Sequence, residues 1–547
     1  MHGIDDLPSD PAVLQQKLIE ATSAIATLST NLSTALHERD LAVAQRDAAL
    51  AEHEKLLLIL SQYRRALFGR RSERQDQGQL ELMLAATAAA PVAANENTPA
   101  TSDKAAAGTA SAQRQPRRNR GRLPLELPRI EVVIDIEDKT CPCCGGTLHK
   151  IGESVKEMFD VVPVQYRVKR IIRPRWGCRA CEGAVVQAPA PPQAIDGVMA
   201  SEAMLVNVAI LKYAYHVPLY RQEQMLAAHG IDLDRQTLAS WMGRLAWWLK
   251  PLHEELLATV LSYPKLFADE TPLPVLDPGR GRTRTCRFWA VATDDRPWAG
   301  PAPPAVVYVF AEDRRGIRAT ELFAGFHGVL QVDGYAGYNS LADPARAGGP
   351  VTLAFCFAHA RRKFYEVNVA TGSPIAAEAL QRIGVFYAVE ANIRGATADE
   401  RRRLRQAETK PLVEAFKLWL EARLAEISKK SGLAQAIRYT LAHWEGLTRF
   451  LDDGRIEIDN NVVERSIKPV ALGRKNSLFA GSIQGAQTWA ILASLINSAK
   501  LNDVEPQAWL TDALERIVSG RTTINRLHEL LPWIWEAART ERITFAA

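Results

Sequence analysis

No apolar run in the 547-residue chain approaches the ~20 residues that a bilayer-spanning helix requires. The opening MHGIDDLPSD lacks the basic-then-apolar form of an export signal. Both absences lead us to expect a cytoplasmic protein with no membrane partner. Charge of one sign is not in excess either. Lys and Arg number 67 against 62 Asp and Glu, so the net +5 does not by itself imply a nucleic-acid partner, and local clusters must carry that argument. Cysteine is sparse, seven residues in all, yet five crowd between Cys141 and Cys181. In a reducing compartment that crowding argues for a metal site over a disulfide framework. The length allows several domains and a sizeable core.

What is present begins with a seam. Leu14, Leu18, Ala21, Ile25, Leu28, Leu32 and Ala35 alternate steps of four and three, as a coiled coil requires. Arg39 and Arg46 weaken it before Leu56, Leu57, Leu58, Ile59 and Leu60 restore an apolar face. Residues 11–75 therefore predict self-association, the alternative being an amphipathic helix folded back on its own domain. Residues 76–125 read as a flexible linker, since Ala85 to Ala112 has almost no large apolar side chain. The linker runs into Arg114, Arg117, Arg118, Arg120 and Arg122, either a solvated charge run or a mobile arm neutralising phosphates. Within 126–190, Cys141 and Cys144, then Cys178 and Cys181, form two CxxC knuckles able to hold Zn²⁺ tetrahedrally. Cys143 is a spare that could replace a neighbour, and Val162 to Arg170 suits a ribbon strand. Four thiolates leave no open position, so this zinc is structural.

A Pro-rich hinge leads to a helical domain over 200–255. Leu219 to His229, a turn at Gly230 and a second helix N-capped by Asp234 fit a helix-turn-helix, or any short helical hairpin. Leu238, Trp241 and Leu245 should face inward. Arg235, Gln236, Ser240 and Arg244 then face outward, toward a DNA major groove. Trp247 and Trp248 read as core.

From Lys265 the period changes to strands: Lys265–Ala268, Cys286–Thr293, Ala305–Ala311, Val329–Val332 and Thr352–Phe357, with a helix over Arg318–Gly325. That order predicts a multidomain α/β protein with an RNase H-like catalytic domain. Its two parts, 262–370 and 456–515, flank a helical insertion at 371–455, and a C-terminal tail follows at 516–547. Asp269 should end the first strand and Asp333 the fourth, on adjacent central strands. Glu464 should arrive on a helix after the turn Asp459-Asn460-Asn461. A single such acid is usually a turn former. Three on separate elements suggest a divalent-metal site. Phosphodiester cleavage and strand transfer proceed by in-line displacement, and two Mg²⁺ per site can activate the attacking oxygen and stabilise the leaving one. Asp333 is the expected bridge, Asp269 and Glu464 each completing one shell, with Asp459 the rival to Glu464. His359, Arg361, Arg362 and Lys363, and then Arg465, Lys468, Arg474 and Lys475, fit either DNA-backbone contacts or solvated helix faces. Cys286 and Cys356 are expected to be buried apolar residues.

The stretches ALFGRRSER, CPCCGG…CRAC, HVPLYRQEQ, ADETPLPVLDPGRGRT, LQVDGYAGYN, AHARRKF, IDNNVVERSIKPVALGRKNSLFAGS and LHELLPWIW stand in this order. Through them the chain resembles the IS66 family of bacterial insertion-sequence transposases along nearly its whole length. The resemblance implies a DDE recombinase performing Mg²⁺-dependent cleavage and strand transfer at the inverted ends of a mobile element. It places the three acids at Asp269, Asp333 and Glu464. It further implies double-stranded DNA partners (element ends and target), accessory proteins of the same element, and at least a dimer on DNA. Cys286 stands where a glycine is expected, and Phe357 where Trp is commoner. A catalytically silent DNA-binding repressor of element ends and an RNase H-like nuclease are the competing readings. Replacing any one of the four knuckle cysteines by Ser should release the zinc and unfold that module locally. Metal content and limited proteolysis of the full chain check this.

Overall fold

A computed structural model describes residues 10–68, 166–177 and 185–546. The chain divides into two compact units, residues 92–188 and the remainder. In the smaller unit, β1 (Arg175–Gly177) and β2 (Val185–Gln187) pair antiparallel, Trp176 opposite Val186. Cys178 and Cys181 fall between these strands, and all four expected zinc ligands lie outside the described residues, as do Arg114, Arg117, Arg118 and Arg120. Tyr166 to Pro174 is not a strand, so the described part of the expected ribbon begins later than the alternation suggested.

The larger unit starts with α1 (Pro11–Phe68), one continuous 58-residue helix. Leu18, Ile25, Leu28 and Leu32 are exposed along it, so this length of the seam covers no part of its own chain. Among the described residues no helix is long and apolar enough to cross a membrane.

Three helices precede the sheet: α2 (Glu202–Tyr213), α3 (Leu219–Ala227) and α4 (Arg235–Leu261). Gly230, at φ +75°, makes the turn before α4. The Asp234 side chain caps α4 by accepting from the backbone N–H groups of Gln236 and Thr237. Leu238, Trp241 and Leu245 are buried as expected, and the same face continues through Leu249, Leu252 and Leu256. The second helix is thus 27 residues long, a core element of which only the first turns could serve as a recognition helix. Trp247 corrects the expectation of a core residue: it is 61 % exposed, because it falls on the side of α4 opposite the buried stripe. Trp248 is half-buried and donates to the Ala194 carbonyl at 2.7 Å.

The five-stranded sheet has the order β5-β4-β3-β6-β7. Its members are β3 (Lys265–Asp277), β4 (Arg282–Thr293), β5 (Ala305–Ala311), β6 (Val329–Val332) and β7 (Thr352–Phe355). Both β4 pairings are antiparallel, whereas β6 runs parallel to β3 and to β7. The helix α5 (Gly316–Leu322) precedes β6. β3 does not stop at Ala268. It runs eight residues past Asp269 despite Pro272 and Pro274. The Pro272 and Pro274 carbonyls accept from Arg474 and Ala480, on the side away from β4, so their missing N–H groups cost no ladder bond.

One face and edge of the sheet are closed by helices that follow the last strand. These are α6 (Phe357–Thr371), α7 (Pro374–Asn392), α8 (Ala398–Leu404), a π turn (Arg405–Thr409), α9 (Lys410–Glu426), α10 (Gly432–Ala442), α11 (Trp444–Thr448), α12 (Asn461–Ser477), α13 (Ile483–Leu501), α14 (Pro506–Val518) and α15 (Pro532–Ala546). On edge strand β5, Ser498 Oγ accepts from Val306 N at 3.1 Å and Ser494 Oγ from Tyr308 N at 2.8 Å, so α13 occupies the free ladder groups. Beside β7, a core joins Ala354, Phe357 and Phe364 to Phe386, Phe416 and Phe450. Phe357 is buried, edge-to-face with Phe386 and Phe450.

A buried ionic cluster ties α7, α8 and the π turn to the segment that leads into α12 and, through it, to the sheet. Arg405 grips Glu390 through two bonds of 2.7 and 2.6 Å, and Arg401 reaches Glu457 at 2.7 Å and Glu390 at 3.3 Å. Gln331 on β6 then exchanges two hydrogen bonds with the backbone of Glu457, at 2.8 and 2.9 Å. Glu390→Ala should destabilise the fold by about 3–5 kcal/mol, because it leaves the buried Arg405 guanidinium without a carboxylate, whereas Arg401 keeps Glu457. Urea denaturation measures that loss.

Candidate active site

Strand register sets the site. β3 and β6 pair Phe267 with Gln331, and the same 64-residue offset carries Asp269 to Asp333. Residues in register on parallel neighbours share a face, so the two carboxylates stand side by side where β6 ends. Asp333 leads a tight turn: its Oδ1 accepts from Tyr335 N at 2.8 Å. Gly334 sits at φ +90°, and a Cβ there would meet the Tyr439 hydroxyl at 2.9 Å. That hydroxyl donates to the Asp333 carbonyl at 2.9 Å, so α10 clamps the acid-bearing turn.

The third acid arrives on α12. Asn460, fully buried, donates from Nδ2 to the Ala268 carbonyl at 3.0 Å, and its N–H reaches Cys356 Sγ at 3.2 Å. The helix start is thereby fastened to the residue before Asp269. Glu464 lies one turn on. Asp459 instead shapes the turn into α12, its oxygens accepting from Asn461 N at 3.1 Å and Asn461 Nδ2 at 2.6 Å. Burial raises the Asp459 carboxyl to about 6. The acids that act on Asp269 are Asp333, Glu270 and Glu464, not Asp459.

The electrostatics are those of crowded anions. Burial, then Asp333, Glu270 and Glu464, hold the Asp269 carboxyl well above its usual range, opposed only by the Glu270 N–H. Burial, then Asp459, push Glu464 up to about 7. Arg362 and Arg465 act on Glu464 as counter-charges. Carboxylates are the hard-oxygen donors that a divalent ion fits. Among the described residues the side chains whose ligand atoms all lie within 4.8 Å of one another are Cys356, His359 and Glu464, not the three acids together. His359 Nδ1 is buried without a hydrogen-bond partner, 3.8 Å from Glu464 Oε1. Cys286 and Cys356 are both buried, as expected, though Cys356 also faces the site.

A cleft of about 320 Å³ beside Asp333 is lined also by Arg314, Tyr335, His359, Arg362, Lys363, Glu366 and Tyr439; Asp269 and Glu464 are not among its lining residues. Of the expected basic contacts, Arg362 and Lys363 belong to it, Lys363 lying 4.4 Å over the Tyr439 ring. Arg361 corrects the expectation. It is 4 % exposed and turned inward toward Tyr387 and Tyr365, because α6 buries that side of the helix. Arg465, Lys468 and Lys475 are exposed on α12, and Arg474 donates to Pro272 O. Arg235, Gln236, Ser240 and Arg244 are exposed on α4.

Sequence reasoning missed Glu270, Arg314, Asn460 and Tyr439. Arg314 donates to the buried Glu270 carboxylate and lies 3.9 Å over the Tyr335 ring, whose hydroxyl donates back to Arg314 O at 2.6 Å. Only Glu270, beside Asp269, carried a local signal.

The sequence model of the IS66 transposase family matches residues 197–488, more than half of the chain. The chain belongs to the IS66 transposase family. In this transposase family chain, residues 138–182 match the zinc-finger binding domain of transposase IS66, which supports bound Zn²⁺ in that segment. Residues 494–533 match the IS66 C-terminal element, and 55–132 match "Transposase C of IS166 homeodomain". Among its relatives is the uncharacterized protein y4jD of Sinorhizobium fredii, 52 % identical over 479 residues, covering 87 % of this chain and 93 % of that one. Another is y4qI of the same organism, also described as uncharacterized, 38 % identical over 540 residues and covering 97 % and 98 %.

A carboxyl raised in the fold favours the metal-free folded state while it stays protonated. For Glu464 that contribution is full below pH 4.5 and lost as pH rises through about 7. Glu464→Gln should therefore match the parent Tm below pH 4.5 and exceed it above 7 in chelator. Equal melting curves across that window contradict the crowding described.

Proposed function

We propose that the chain is an RNase H-like DNA transposase that cleaves the inverted ends of a mobile element and joins them to target DNA. One observation carries the reading: Asp269, Asp333 and Glu464 come from three elements spread over the chain, yet both Asp333 and Glu464 act on the buried Asp269 carboxyl and raise its proton affinity. The mixed sheet, with three antiparallel strands followed by two parallel ones, supports the RNase H-like assignment.

Asp269, Asp333 and Glu464 are the residues that would hold divalent metal, Asp333 being the one assigned to both ions. When bound, a pair of Mg²⁺ ions would supply Lewis-acid activation of the attacking oxygen and charge stabilisation of the leaving one. The chain's own groups do the rest. Tyr335 N–H and the Tyr439 hydroxyl fix the Asp333 turn, so that acid cannot swing away. Asn460 fixes the start of the Glu464 helix. Lys363, with Arg314 and Arg362 paired to Glu270 and Glu366, would supply the cleft's contacts to a phosphodiester. Arg465 and Lys468 on α12, and Arg235, Gln236, Ser240 and Arg244 at the start of α4, extend the contact to flanking duplex. The arginine arm of Arg114, Arg117, Arg118 and Arg120 would add sequence-independent affinity. Cys141, Cys144, Cys178 and Cys181 would hold a structural Zn²⁺. The exposed seam of α1 would pair two copies, bringing two sites to two ends.

Purified full chain with Mg²⁺ and labelled element-end duplex should nick the DNA. Asp269→Asn, Asp333→Asn and Glu464→Gln should each abolish nicking yet retain duplex binding in a gel-shift assay. Asp459→Asn should keep measurable nicking, since that side chain serves the turn. Loss of nicking in Asp459→Asn with retention in Glu464→Gln would reassign the third acid.

A further inference from the structure

The C-terminal end of α12 carries two features that folding does not explain. Leu478 lies at φ +59° and ψ −51°, with the Phe479 N–H donating to Ser477 O at 2.6 Å. This is the rare positive-φ γ-turn, an outlier for a bulky residue, where glycine would sit without penalty. Leu478 is also 68 % exposed, and Phe479 beside it is exposed too. The turn itself is rigidly held. Ala480 exchanges hydrogen bonds with Pro274 O and Leu276 N on β3, at 2.9 and 2.8 Å. Asn476 Nδ2 donates to His216 O at 2.9 Å. None of these bonds needs a side chain at 478, so a strained, apolar side chain is displayed outward from a pinned base. Strain of this kind, over-determined by its surroundings, concentrates at functional positions.

What the tip faces is indicated by charge. Arg465, Lys468, Leu472 and Lys475 fall at helical spacing on one exposed stripe of α12, leading from Glu464 to the tip. The β3–β4 hairpin beside it ends in exposed Arg280 and Arg282. A basic rail ending in an apolar point is how a protein holds a duplex by its phosphates and enters its stack. We propose that Leu478, with Phe479 behind it, is a wedge that inserts at one base step of bound duplex DNA. Two rulers give its distance from the acids. Six residues of β3 from Asp269 to Val275, at ~3.3 Å each, span about 20 Å. Fourteen residues of α12 from Glu464 to Leu478, at ~1.5 Å each, span about 21 Å. At ~3.4 Å per base pair the wedged step lies about six base pairs from the scissile phosphate. The occupant is DNA because this inference rests on the transposase reading above.

The test uses the full chain and short duplexes tiling the DNA on either side of the coding sequence, each with one 2-aminopurine. The parent protein should raise 2-aminopurine fluorescence severalfold at a single step. Leu478→Gly should lose that signal, melt at the same or a higher temperature, and regain tight binding on a duplex mismatched at that step. Parent-like unstacking by Leu478→Gly overturns the wedge while leaving the transposase reading intact. So does a lowered Tm, which would make the residue a fold determinant. A changed oligomer size of Leu478→Gly without DNA would mark the tip as a protein contact and overturn it as well. If no duplex binds the parent protein, the transposase reading fails and the wedge with it.

Discussion

Repulsion among Asp269, Asp333 and Glu464 is the constraint around which the larger unit is built. Partly buried carboxylates at short range raise one another's proton affinity and, left to themselves, push apart. The charged groups that act most on Asp269 after burial are acids, with one backbone N–H in its favour. An arrangement of this kind persists only if the backbone beneath each acid cannot move. Each of the three is held by its backbone: register to β6 for Asp269, the Tyr439 clamp for Asp333, and the Asn460 tether for Glu464.

The helices α7–α11 make sense as the support of that arrangement. They deliver Tyr439 to the Asp333 carbonyl and stack His443 on Tyr439, ring centroids 4.3 Å apart. Their buried Arg401, Arg405 and Glu390 hold Glu457, whose backbone is locked to Gln331 on β6. The same strand therefore orders Asp333 at its end and, through Gln331, the segment that turns into Asp459 and Asn460. Buried ion pairs are poor sources of stability but effective at fixing one geometry. That is the property a crowded acidic site needs, so charge is buried here where an apolar cluster would hold less firmly.

Much of this is legible in the sequence because it is local. Val329–Val332 and Ala305–Ala311 carry strand signals within their own few residues, and Asp234 announces a helix start by its side-chain chemistry. The signal for β3 stops short because Pro272 and Pro274 look like strand breakers. Only the third dimension shows that their nitrogens face away from β4. Arg361 and Trp247 mislead for the complementary reason: which side of a helix is buried depends on what packs there, and neighbouring residues of one basic or aromatic pair fall on opposite faces. Asn460 and Tyr439 are invisible, since their partners lie 192 and 106 residues away. A buried amide bonded to a distant carbonyl leaves no periodic trace.

The separation of the acids along the chain has a consequence for when the site can exist. Asp269 and Asp333 meet as soon as β3 and β6 pair, but Glu464 comes 195 residues after the first acid. The bonds that place Glu464 reach Ala268 on β3 and depend on elements folded in between: Cys356 at the start of α6, and Glu457 held through α7 and α8. A chain with the α7–α11 helices unfolded would keep two acids and lose the third. On the proposed transposase reading, metal affinity and cleavage competence would be coupled to completion of the fold, since two carboxylates alone offer few hard ligands for a pair of ions. The helices that look most remote from the chemistry are the ones that decide whether it is assembled.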